Sequence, residues 1–215
     1  MELNLAIALP IADNHVYTQF MISMLTLSTP DYHLLVPKFP HIHLADIRNN
    51  LVEQAKEKKC THMIFLDTDQ IYKQDTIQRL LMNKDKSVIG GVVHRRYPPY
   101  APILYRGKLG NYKYVSDDEM YSGDLVEVDA TGTACMIINM DVFKHIKKPY
   151  FKQSKNNGKV VGEDIYFCSR VRKSGLKIFV DTSIQVEHIS LLSVNRTVYE
   201  LYKRFYNANT KGEKR

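Results

Sequence analysis

The feature that most limits what this chain can fold into is the segment THMIFLDTDQ, residues 61 to 70. In it four apolar residues, Met63 to Leu66, run straight into two carboxylates one residue apart, Asp67 and Asp69. A short apolar run that stops abruptly at polar residues is the pattern of a strand buried on both faces. The surrounding sequence agrees. Upstream, LNLAIALP reads as a first strand ended by Pro10, and a helical stretch follows from about residue 15 to 27. YHLLVPKF is a short strand, and LADIRNNLVEQAKEKK is an amphipathic helix with Leu44, Ile47, Leu51 and Ala55 on one face. Downstream, a helix from about residue 75 to 83, with Asp75 as its N-cap, precedes the strand SVIGGVV. Strands and helices alternating at this spacing predict parallel pairing through right-handed crossovers, a Rossmann-like sheet. Ligands of such sheets sit beyond the carboxyl ends of the strands, where Asp67 and Asp69 fall.

After Gly91 the texture changes. HRRYPPYAPILYRGKLGNYKYV is rich in Tyr, Pro and Gly, which favours loops and antiparallel strands over helices. DLVEVDATGTACMIINMDVF restores strand character around a small-residue turn, and EDIYFCSRVRKSG reads as a helix closed by Gly175. The strand LKIFVD, the segment IQVEHI and a last helix from about residue 195 to 206 complete the pattern. The expectation is a single α/β domain over residues 1–206, with a mixed, mainly parallel central sheet flanked by helices. A small antiparallel portion belongs to the second half, and residues 207–215 form a polar, basic, disordered tail. A length of 215 residues suits one substantial core.

No apolar run reaches the ~20 residues of a membrane span, and MELNLAIALP lacks the basic n-region of a secretion signal, so the expected compartment is cytoplasmic. Cys60, Cys135 and Cys168 lie far apart with no CxxC spacing, as reduced and buried thiols would. The formal net charge of +7 is unevenly spread. Between Val142 and Gly162 lie Lys144, Lys147, Lys148, Lys152, Lys155 and Lys159 without one acid, and His94 to Tyr114 is a second acid-free basic stretch. Such a field favours an anionic partner or forms a solvated basic face.

Two carboxylates as close as Asp67 and Asp69 raise each other's pKa unless a cation is shared between them. A divalent ion resolves the conflict, and hard oxygen donors suit Mg2+ or Mn2+. The purely structural alternative is a capped turn followed by the start of a helix. Glu163 and Asp164 open a helix, where the macrodipole stabilises carboxylates. They serve as caps, or one of them is a general base for an attacking hydroxyl. His188, just past a predicted strand, has the imidazole nitrogen to complete a mixed Asp/His metal shell or is structural.

Taken in order, DIRNNLVEQA, THMIFLDTDQ, SVIGGVVHRRYPPYAPILY, VDATGTACMIINMDVF and GEDIYFCSRVRKSGLKIFVDTSIQVEHI resemble the glycosyltransferases of the GT-A fold, including inverting family 2-like members. The resemblance runs from about residue 3 to 189. It implies a nucleotide-sugar donor whose diphosphate is bridged by Mn2+ or Mg2+ at the DxD acids, Asp69 as direct ligand and Asp67 toward the ribose or a metal-bound water. His188 matches a late histidine ligand. Asp164 matches the base that deprotonates the acceptor in inverting members, with Glu163 holding the acceptor or orienting that base. Pro10, Asp46, Arg48 and Thr68 fall where the family binds the nucleotide, and Gly132 where small residues admit the donor sugar. Arg95, Arg96 and Tyr97 are candidates for the acceptor or the donor phosphate. Uridine diphosphate glucose is the leading donor because it is the commonest in the family. The segment SLLSVNRTVYELYKRF is expected to order over bound donor. The acceptor is a glycan or a protein side chain, or DNA with hydroxymethylated bases. Metal-dependent nuclease activity and non-catalytic nucleic-acid binding are the competing functions.

Overall fold

The computed structural model describes residues 2–13, 15–37, 43–156, 158–191, 195–201 and 203. The apolar runs of the first half become strands β1 (Leu5–Ala8), β2 (Tyr32–Leu35) and β3 (His62–Leu66), joined by helices α1 (Thr18–Thr26) and α2 (Leu44–Glu57). The two-residue strand β4 (Gln70–Ile71) follows the DTD turn, then α3 (Thr76–Met82) and β5 (Val88–Val92). The Tyr-rich stretch gives the hairpin β6 (Leu104–Lys108) and β7 (Asn111–Tyr114), then the single turn α4 (Asp117–Met120). Strands β8 (Leu125–Val128), β9 (Ala130–Thr131) and β10 (Cys135–Asn139) lead to α5 (Val142–His145). The chain continues through the hairpin β11 (Ser154–Asn156) and β12 (Lys159–Val161) into α6 (Glu163–Lys173), β13 (Ile178–Gln185) and β14 (Glu187–His188).

Seven strands form the central sheet in the order β2-β1-β3-β10-β5-β13-β8. β1 pairs in parallel with β2 and β3, and β5 with β13, while β10 and β8 run against their neighbours. Five strands therefore point one way and two the other, the mixed, mainly parallel sheet expected. One unit departs from a simple crossover. Strand β10 lies between β3 and β5, so these two never pair. Its alternating side chains are apolar on both faces, which makes a central position as favourable as any, and a distant strand can take it.

Alternation also explains the core. Ala6, Ala8, Met63, Phe65, Met136 and Ile138 face one side, where Ile47, Leu51 and Ala55 of α2 and Phe167 and Val171 of α6 cover them. Leu5, Ile7, Ile64, Leu66 and Ile137 face the other, under Phe20 of α1 and Ile77 and Leu80 of α3. Burying both faces at ~25 cal/mol per Å² of apolar surface is what fixes strand register here, since a slip of one residue exchanges the two sets.

Helix α1 is shorter than expected, and Asp75 precedes α3 without bonding an end amide. Its carboxylate instead takes Arg79 Nε at 2.6 Å. Gly175, at φ +85°, ends α6 as predicted, and the three cysteines are free and buried. No helix among the described residues is long and apolar enough to cross a membrane. Residues 196–201 are helical. The expected tail, 207–215, and part of the segment expected to order over donor, residues 192–194, 202, 204 and 205, lie outside the described residues.

Candidate functional site

The end of β3 is fastened before it reaches the acids. The Asp67 amide donates to the Ala134 carbonyl at 3.0 Å. The buried Tyr72 hydroxyl lies 2.8 Å from the Asp67 carbonyl and 2.7 Å from that of Ala134, and donates to them. The DTD turn thus projects from a rigid strand end, and each carboxylate meets its own cation.

Arg48, on the first half of α2, is buried at 1% exposure. Its Nη2 lies 2.9 and 2.8 Å from the two Asp67 oxygens, its Nε is 3.5 Å from Glu163 Oε1, and its guanidinium sits 5.1 Å over the Phe65 ring. Its Nη1 makes no hydrogen bond among the described residues. Burial pushes the Asp67 carboxyl up, and Arg48 pulls it back without reversing the shift. A guanidinium is the group for this task, because it stays charged when buried and binds carboxylates through a planar fork.

Asp69 is held differently. Strand β14 pairs antiparallel with β4, His188 opposite Gln70, which brings His188 Nε2 to 3.1 Å from Asp69 Oδ2. His188 Nδ1 is 2.6 Å from the His94 carbonyl, an acceptor only, so Nδ1 carries a proton. Neutral, the ring therefore points its Nε2 lone pair at Asp69, the tautomer a metal ligand needs. Burial lowers the His188 pKa, but Asp69 and the His94 carbonyl raise it above its ordinary value. Burial likewise raises that of Asp69, and His188, Gln70 and Arg96 together bring it below the ordinary carboxylate range. Arg96 Nη1 stands 3.4 Å from Asp69 Oδ2.

Asp69 and His188 fit a divalent ion: one hard oxygen, one imidazole of fixed tautomer, and a half-exposed arginine that can swing aside. Among the described residues no three His, Cys, Asp or Glu side chains gather to hold a metal, so substrate oxygens and water would supply the rest of the shell. Asp67, gripped by Arg48, stands apart from this pair.

The fourth carboxylate has no cation of its own. Asp164 turns back to accept the Ile165 amide at 2.7 Å. A methyl group on Gly162 would stand 2.6 Å from Asp164 Oδ1, so only glycine lets the carboxylate lie there. Burial, with the neighbouring Glu163 charge next, pushes the Asp164 pKa up to about 6. Asp164 opens onto a cleft of about 610 Å³ with Arg95, Tyr97, Tyr105, Tyr112 and Tyr114 in its walls. One loop serves both places. Pinned by the bridge between His94 and Pro102, it sends Arg96 to Asp69, and Arg95 and Tyr97 to the cleft.

Of the residues proposed from sequence, three groups assemble: Asp69, His188 and Arg96; Asp67, Arg48 and Glu163; Asp164, Arg95 and Tyr97. Pro10 is buried past the end of β1, Asp46 is exposed in the first turn of α2, and Thr68 is half-buried between the acids; none of their side chains bonds to these groups. Gly132 is buried against Ile103, where a methyl group would make only ordinary contact at 3.5 Å, so the fold itself does not demand glycine there.

No family model and no curated protein sequence matches the chain. Solved structures do. A197 from STIV aligns with a TM-score of 0.61 at 17% identity over 89% of this chain and 87% of that one. GalNAc-T7 with UDP, GalNAc and Mn2+ aligns with 0.60 at 10% identity, over 89% of this chain and 44% of that one. S. aureus TarS 1-349 gives 0.50 at 11% identity, over 88% of this chain and 60% of that one. This is the GT-A fold. The chain spans under half of the GalNAc-T7 chain.

Within the GT-A frame the acids of the DTD turn lie past β3, as the spacing predicted, while His188, expected just past a strand, lies in the separate two-residue strand β14. Three features were not foreseen: the Arg48 grip on Asp67, the close approach at Gly162, and the tyrosine walls of the cleft. The last had a signal in the density of tyrosines between residues 97 and 114. The first depends on a contact between distant segments, and the second on the turn of the Asp164 side chain back over a residue two positions before it.

Proposed function

We propose that this GT-A protein is a metal-dependent glycosyltransferase that moves a sugar from a nucleoside diphosphate sugar to an acceptor hydroxyl with inversion. The observation that carries the reading is the Asp69–His188 pair, 3.1 Å apart, with the histidine tautomer set by the His94 carbonyl. A divalent ion held there, Mn2+ or Mg2+, supplies the positive charge that lets a nucleoside diphosphate leave. The neighbour bound to UDP, GalNAc and Mn2+ supports that chemistry for the fold.

The chain's own residues do the rest. Arg48 holds Asp67 in place for the donor, and its spare buried Nη1 donor supports a donor oxygen beside it. Asp164, with Oδ1 engaged by the Ile165 amide, keeps Oδ2 for the acceptor proton. The acceptor oxygen attacks the anomeric carbon on the face opposite the leaving group. The new C–O bond forms as the bond to phosphate oxygen breaks, its electron pair leaves with the diphosphate, and the proton passes to Asp164. The anomeric centre is oxocarbenium-like as it loses the diphosphate, so a carboxylate of moderate basicity suffices.

The test is nucleoside diphosphate release from a panel of nucleotide sugars, uridine diphosphate glucose first, with Mn2+, with Mg2+ and with chelator, water serving as acceptor. Metal-dependent release from one donor, lost in Asp69→Asn, is expected. No release from any donor and no metal-dependent nucleotide binding sinks the reading.

A further inference from the structure

The cleft beside Asp164 is built unlike the rest of the surface. Tyr105 sits at its centre, its ring 5.8 Å from that of Tyr112 and 5.1 Å from that of Tyr114, all tilted rather than stacked on one another. Their faces are thus offered in different directions. Val160 and Ile165 add aliphatic surface, and Asn156 an amide. The tip of the β6–β7 hairpin closes in on that amide. Gly110, at φ +93°, stands so near that an added methyl group would lie 2.5 Å from Asn156 Nδ2. Two hairpins from separate parts of the sequence therefore meet in the wall of the cleft.

The charge of the lining is as informative as its shape. Among the described residues Arg95 is the cation of that lining, and its Nη2 donates to the Tyr105 hydroxyl at 2.6 Å. Asp164 is the acid, so the two formal charges of the described lining cancel. A phosphodiester chain gains affinity by neutralising its phosphates on a row of cations, and a lining with a single arginine beside a carboxylate offers no such row. Arg106, on the same hairpin, is also occupied, its guanidinium forked onto Glu119 at 2.9 and 2.7 Å. What the cleft offers is flat apolar faces edged with hydroxyls and an amide. A pyranose has the complementary form: axial C–H bonds that pack on an aromatic face and a rim of hydroxyls to exchange hydrogen bonds.

Resting on the glycosyltransferase reading, we propose that the tyrosine cleft is the acceptor subsite and that the acceptor is a neutral carbohydrate. A terminal sugar stacks on Tyr114 and Tyr112 and presents one hydroxyl to Asp164.

The chain has 14 tyrosines and no tryptophan, so a ligand on these rings reads out directly in tyrosine emission and in saturation-transfer NMR. The probes are neutral pentasaccharides of glucose, galactose, mannose and N-acetylglucosamine, with a duplex oligonucleotide as competitor. At least one pentasaccharide is expected to bind with an affinity that salt does not change. Tyr114→Ala, at a half-exposed ring, should weaken it about tenfold or more, while Tyr114→Phe keeps the face and stays close to wild type. Wild-type protein that releases nucleoside diphosphate yet binds none of the saccharides overturns this inference and leaves the transferase reading standing. A saccharide that binds equally well to Tyr114→Ala also overturns it, as does an oligonucleotide that displaces the sugar with steep salt dependence. A saccharide bound on these rings by protein that turns over no nucleotide sugar sinks the transferase reading, and the acceptor role with it.

Discussion

The DTD turn and the start of α6 both present adjacent acids at the mouth of the same sheet, yet they are treated in opposite ways. Asp67 and Asp69 each face a cation, Arg48 and Arg96, and Asp69, with His188 also beside it, is held below the ordinary carboxylate range. Asp164 receives a backbone amide, burial and an acidic neighbour, and its pKa rises to about 6. Asp69, which the proposed metal would need ionised, has positive charge beside it. Asp164, proposed to take up and return a proton, is left without a cation of its own among the described residues.

That contrast breaks most visibly at Asp164. Asp164→Asn should lower the single-turnover transfer rate by roughly 10²–10⁴-fold, the usual contribution of a general base, with donor affinity preserved. If transfer persists, Asp164 is only a helix cap. On the other side, Arg48→Ala leaves Asp67 buried without its partner, and denaturant unfolding should register a loss of about 3–5 kcal/mol. A smaller loss would mean that water takes the place of the guanidinium. The pH dependence sharpens the same contrast. The Asp164 pKa is raised from 3.8 to about 6 in the folded protein, so the folded state binds the proton more tightly than the unfolded one. Its contribution to stability is therefore full below pH 3.8 and lost as pH rises through about 6. Asp164→Asn should accordingly raise the free energy of unfolding at pH 8 and not at pH 4, by an amount on the order of 1–3 kcal/mol. Transfer should run the other way, rising about tenfold per pH unit up to about 6 and then levelling. The mildest change is Gly162→Ala. The added methyl group displaces the Asp164 carboxylate without removing it, and a loss of about tenfold in kcat with unchanged donor KM is expected.

Much of this arrangement was legible in the sequence because it is local. An apolar run ending in DTD announces both a buried strand and exposed acids, and GED before an amphipathic run announces a helix that begins with carboxylates. Strand and helix identities follow from periodicity, which is why β1, β2, β3 and β5 and the helices between them appear close to where expected, whereas the two-residue β4 has no such signal. The insertion of β10 between β3 and β5 is not local. Its residues would suit any interior place in a sheet, and the choice is made by tertiary packing. Arg48 is the sharpest instance. As a residue near a helix N-terminus it suggested a ligand-facing charge. Its burial is made possible by Phe65 beneath it and by Asp67 and Glu163 beside it, three residues from two other elements. The basic stretches changed meaning for a similar reason: Lys148 and Arg106 each lie against an acid that sequence spacing did not reveal.

The loop pinned between His94 and Pro102 has a kinetic consequence. Its Arg96 rests on Asp69 while its Arg95 and Tyr97 wall the cleft, so whatever displaces Arg96 from the carboxylate also tugs on the mouth of the cleft. Under the proposed transfer reaction the two substrates would then not be independent visitors, and product-inhibition patterns should be those of compulsory sequence, with the nucleotide first in and last out.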